Sequence, residues 1–139
     1  MSTDPHYFDV IRIDGVVVVT PVGREIHAEA RDPLFQAADD LRNEPPPRRL
    51  LLDLRNVQTI NSSTIGVLVN FSRRVKESAG VLKVCHPEPF VKNVIELTKM
   101  NQLLDIYATD REAFDAFRHK PGASAERSKS WSSRFFGSR

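Results

Sequence analysis

The stretch Arg49–Leu68, RLLLDLRNVQTINSSTIGVL, decides the fold of this 139-residue chain. Its first part, RLLLDL, is a short continuous apolar run of the kind found in a β-strand covered on both faces. Beyond the polar junction, Ile65, Leu68, Val69 and Val75 define one apolar face, with Arg73, Arg74, Lys76 and Glu77 mostly outward. The strand therefore hands over to an amphipathic helix. Ser78-Ala79-Gly80 is expected to close that helix, with glycine in the C-cap role. The junction, Asn61-Ser62-Ser63-Thr64, is built from residues whose side chains accept hydrogen bonds from unpaired first-turn amides.

On the N-terminal side, YFDVIRI reads as a strand with imperfect two-residue alternation. Asp14-Gly15 is a hairpin turn signal, and VVVVTPV supplies an antiparallel return, ended or bent by Pro21 and Gly23. Asp32 and Pro33 read as N-cap and first position of a helix with Leu34, Ala37, Ala38 and Leu41 on one face. The prolines of NEPPP stop it. On the C-terminal side, VLKVC is a strand, and Val91, Val94, Ile95 and Thr98 mark a helix after Pro89. LLDIY is a last short strand. Thr109-Asp110-Arg111-Glu112 is a capping-box pattern opening a helix with Ala113, Phe114 and Phe117. The order β-β-α-β-α-β-α-β-α predicts an α/β domain: a mixed, mostly parallel sheet with about four helices.

Composition sets the class. Hydrophobic residues make up 40% and charged residues 27% of the chain, ordinary values for a globular protein. The single cysteine, Cys85, excludes an internal disulfide, and no Cys/His set has metal-site spacing. The longest apolar run, GVVVVTPV, is too short to span a bilayer, and MSTDPHYF is unlike a signal peptide. These features predict a cytoplasmic protein without a membrane span. The net charge of +2 is unevenly placed. From His119 onward stand Lys120, Arg127, Lys129, Arg134 and Arg139 against Glu126, leaving 15 Lys/Arg and 17 Asp/Glu in residues 1–118. The basicity belongs to the tail, which argues against a nucleic-acid-binding face on the domain. We expect one domain over 1–118 and a disordered, basic, Ser-rich tail over 119–139. The tail's WSSRFFGS suits docking on a partner or a membrane surface, although a plain disordered end is the preferred reading.

Capping alone accounts for the junction residues. Their position adds a functional reading, because sites in parallel α/β sheets gather at the carboxyl ends of strands. A phosphate on Ser62 would meet free amides and the positive end of the helix dipole. Its effect would come from about two added negative charges on a docking surface rather than from melting the helix. A nucleophilic Ser62 with Asp53 and His86 is the rival. The stretch lacks the G-x-S-x-G elbow, and His86 precedes the turn-forming Pro87. No glycine-rich nucleotide cradle occurs. No catalytic residue, metal or cofactor is predicted.

Taken together, LLLDL, INSSTIGVLV, VLKV and VIELTKMNQLLDIYATDREAF resemble the STAS family, the sulphate-transporter and anti-sigma-factor-antagonist domains, over about residues 8–117. The resemblance implies a STAS-like single-domain fold. In the bacterial antagonist branch it implies a protein that binds an anti-sigma factor serine kinase, is released when phosphorylated, and is reset by a metal-dependent phosphatase. Ser62 matches the phospho-acceptor, Asn61 the preceding Asp, Ser63 the following Ser/Thr and Gly66 the second Gly. Thr64 replaces the first Gly. Asn61, Ser62, Ser63, Thr64 and Gly66 are thus the expected partner-binding set. The alternative implied by the same family is a phosphorylation-independent scaffold or transport-complex accessory subunit that docks constitutively through the same helix.

Overall fold

A computed structural model describes residues 6–118. The expected tail, 119–139, lies outside the described residues. The elements are β1 (Phe8–Ile13), β2 (Val16–Pro21), α1 (Arg31–Asp39), β3 (Arg48–Asp53), α2 (Ser62–Glu77), β4 (Gly80–Cys85), α3 (Pro89–Leu97), β5 (Asp105–Tyr107) and α4 (Asp110–Phe117). Short 3-10 turns cover Ala28–Ala30, Asp40–Asn43 and Met100–Gln102.

The hairpin forms as its Asp-Gly turn predicts. Asp14 and Gly15 both take positive φ, 54° and 77°, which matches the twist of the paired strands. β1 and β2 are antiparallel, whereas β2, β3, β4 and β5 are parallel neighbours in the order β1-β2-β3-β4-β5. Because each parallel strand lies next to its predecessor on the same side, crossovers of one hand place α1, α2 and α3 on a single face. That face carries the main core: Val17, Val19, Leu50, Leu52, Val84 and Ile106 of the sheet against Leu34, Leu68, Phe71, Val75 and Ile95 of the helices. The opposite sheet face presents Val16, Val18, Leu51, Cys85 and Tyr107, which pack on Ala113, Ala116 and Phe117 of α4. Strand alternation thus explains why VVVV and LLL are apolar without interruption: both faces of β2 and β3 are buried.

Local boundaries differ from the sequence reading, most plainly in three places. α1 begins at Arg31 rather than at Pro33. Its N-cap position is Ala30, which supplies no side-chain cap, because the 3-10 turn Ala28–Ala30 leads directly into it. Tertiary continuity replaces the expected Asp32 cap. α2 ends through Ala79, which takes the left-handed φ of 60°. Gly80 already belongs to β4, where its missing side chain serves packing: a Cβ would lie 2.8 Å from Leu41 Cδ1. The last strand keeps only Asp105–Tyr107 of LLDIY, since Leu103 remains exposed at the end of a 3-10 turn.

Candidate functional site

The carboxyl ends of β2 and β3 lie at one edge of the sheet, and the segments that follow them form the site. The connection from β3 to α2 is pinned rather than loose. Val57 and Ile60 are buried in the core. The Gln58 and Thr59 amides donate to the Arg24 carbonyl at 2.6 and 3.3 Å, and Asn56 Nδ2 donates to the Pro21 carbonyl at 3.1 Å. The junction therefore arrives at α2 in a fixed position against the loop after β2.

Asn61 is the N-cap of α2. Its Oδ1 accepts from the Thr64 amide at 2.9 Å and from the Thr64 hydroxyl at 3.2 Å, while its carbonyl accepts the Ile65 amide at 3.0 Å. Ser62 and Ser63 occupy the first two helical positions and are exposed. First-turn amides at these positions have no intrahelical partner, so they and the helix dipole favour an added anion. Thr64, expected on the docking face, is instead 3% exposed and turned inward onto Asn61. A helix advances about 100° per residue, and seating Leu68 and Phe71 in the core brings Thr64 onto the same inner face.

Beside the junction runs an open groove of about 670 Å³, walled by α2 on one side and by the loop after β2 and the start of α1 on the other. Ser63, Gly66, Val67 and Asn70 line the α2 wall, and His27 and Arg31 stand opposite. Ser62 is not among the lining residues. It is exposed at the first position of α2, between Asn61 and Ser63, which do line the groove. At Gly66 a Cβ would meet nothing within 4 Å, so this glycine is not demanded by packing and leaves the groove wall bare. The sequence reading missed Glu25, His27 and Arg31. Its signal was present, because their loop leaves the same sheet edge as the junction.

The rival set of Ser62, Asp53 and His86 is not assembled by hydrogen bonds. Asp53 accepts from Arg55 Nε at 2.8 Å and from the Arg55 amide at 3.0 Å. His86 Nε2 accepts the Asp110 amide at 3.1 Å, at the first position of α4. Arg55 also reaches Asp110 at 3.1 Å. Burial alone would push the Asp110 carboxyl up, but His86, the Arg111 amide and the charge of Arg55 outweigh it and hold the group below the usual carboxylate range. Burial pushes the Cys85 thiol up, assisted by Asp53 and Asp110, so that sulphur is an inert core atom. Among the described residues no cluster of three or more His, Cys, Asp or Glu could hold a metal ion. No helix of the described residues is long and apolar enough to cross a membrane.

A five-stranded mixed sheet with this sequential order, three helices on one face and a capped polar junction after the central strand defines a small α/β domain. The chain belongs to the STAS domain family, whose model matches residues 7–113. It is 30% identical over 110 residues to a Thermotoga maritima protein classed as an anti-sigma factor antagonist, covering 78% of this chain and 95% of that one. The crystal structure of a T. maritima protein of the same class superimposes with a TM-score of 0.70 at 28% identity, covering 82% of this chain and 97% of that chain. An anti-sigma factor antagonist from Mycobacterium paratuberculosis gives 0.67 at 28% identity, covering 81% and 93%.

Proposed function

We propose that this protein is an anti-sigma factor antagonist: it binds an anti-sigma factor serine kinase through the α2 N-terminus and the adjacent groove, and phosphorylation at Ser62 releases it. The observation that carries this reading is the placement of Ser62. Ser62 is exposed at the first position of α2, next in sequence to the groove-lining Ser63, and the junction is tied down by the Asn61 cap and the Arg24 backbone bonds. The docking set is Asn61, Ser62, Ser63 and Gly66, with Thr64 acting from beneath by fixing the Asn61 side chain. A phosphate at Ser62 adds about two negative charges at the edge of the partner's footprint, where like charge or lost complementarity weakens docking. A metal-dependent phosphatase would restore the binding form.

The expected result is that Ser62→Ala binds the kinase as the parent does, Ser62→Asp binds much less, and Ser63→Ala still becomes phosphorylated. Equal binding of the Ala and Asp variants sinks the switch. The second reading, a phosphorylation-independent scaffold or transport-complex subunit, draws support from Asn61. This neutral residue stands where the antagonist pattern has an acid, and its oxygen is already committed to Thr64. Protein purified from its own cells without phosphate at Ser62 or Ser63 would favour it.

A further inference from the structure

The sheet has one face that its own helices do not finish covering. Residues Ile11 and Ile13 of β1 lie opposite Val18 and Val16 of β2, so their side chains share the α4 face. α4 packs mainly against β3, β4 and β5. Ile11 and Ile13 are therefore 53% and 40% exposed. A trough of about 730 Å³ runs between them and α4, lined by Ile11, Ile13, Val18, Thr20, Leu51 and Phe114, with Asp9, Asp53 and Asp110 along its upper end.

We propose that residues 119–139 of the same chain cover this trough, seating Trp131, Phe135 and Phe136 on the β1–β2 face beside α4. The chain leaves α4 at the right place: Arg118, just past its end, makes an ion pair with Asp14 in the β1–β2 turn at 3.4 Å. The segment thus starts at the lower mouth of the trough. Twelve residues separate Arg118 from Trp131. Twelve residues can span roughly 20 Å, about the length of the six-residue β1. Charge also matches, since the segment carries five Lys/Arg against one Glu, and the trough's upper end holds three aspartates with Arg55. Tethering sets an effective concentration of roughly millimolar, so even a weak apolar contact would be populated.

Trp131 is the only tryptophan in the chain, which makes the test direct. In the full-length protein its fluorescence is expected to be blue-shifted and shielded from acrylamide relative to a free peptide of residues 119–139. The shift should be independent of protein concentration and should disappear in Ile11→Asp/Ile13→Asp, a pair at exposed positions whose folding is checked by far-UV circular dichroism. Four outcomes would overturn the proposal. They are emission equal to that of the free peptide, a shift that fades on dilution because the segment seats on a second copy, a shift that survives the double substitution, and one that appears only with anionic vesicles. None of these depends on whether Ser62 is phosphorylated.

Discussion

Asn61 and Thr64 form a closed pair at the start of α2, one carboxamide oxygen accepting both the amide at 2.9 Å and the hydroxyl at 3.2 Å of the residue three positions on. The pair holds the Asn61 carboxamide in place, buries Thr64 and leaves the serines between them exposed. Asn61→Ala should lower stability by about 1 kcal/mol through loss of the cap. Asn61→Asp should keep the cap and match or exceed the parent, because a carboxylate at a helix N-terminus is favourable. Urea unfolding at neutral pH distinguishes the two.

Gly66 opens a second line of test. No neighbour lies within 4 Å of a Cβ built there, so Gly66→Ala should raise stability by about 0.5–1 kcal/mol through helix propensity. The same methyl projects into the groove wall and should weaken partner docking. A variant with higher stability and undiminished binding would show that the groove is not part of the docking surface.

Beneath α4, Lys83 is 3% exposed, yet its ammonium lies 2.6 Å from Asp105 Oδ2 and 5.2 Å from the Phe117 ring. Removing the carboxylate strands a buried charge, so Asp105→Ala should cost about 3–5 kcal/mol. Replacing both partners together, Lys83→Met with Asp105→Asn, leaves no charge to satisfy and should be close to neutral or stabilising. Chemical denaturation of both variants checks the asymmetry.

Acid should act on the α4 cap. The Asp110 carboxyl is held below its ordinary range in the fold, so its contribution is present above the unfolded value near about 4 and is lost as pH falls through the lower folded value. The side chain is 45% exposed, and solvent screening keeps the effect small. Asp110→Asn should therefore cost roughly 0.5 kcal/mol at neutral pH and nothing once the parent carboxylate is protonated. Unfolding curves at pH values on both sides of that window measure it.

Much of this protein is written locally. The Asp14-Gly15 hairpin, the Thr109 cap that accepts the Glu112 amide at 3.2 Å, and the apolar β2 and β3 are each legible because a turn, a cap or a strand depends on residues a few positions apart. The α2 face was only partly legible. Phe71 and Ser72 are buried although the apolar pattern did not select them, and Ile65 and Val69 are only partly so. Periodicity gives the helix but leaves its rotation about the axis to packing.

The sequence by itself determined the element order, the mixed sheet and the capped junction, since hydrophobic period and cap chemistry act over one or two turns of chain. Only the tertiary structure decided that Thr64 turns inward, that Ser63 lines the groove while Ser62 does not, and that His27 and Arg31 form the opposite wall. Those outcomes depend on where α2 is seated against β3 and against a loop more than thirty positions away, as the Gln58–Arg24 and Asn56–Pro21 bonds show. Contacts of that range are fixed by packing the whole core, which short-range pattern does not encode.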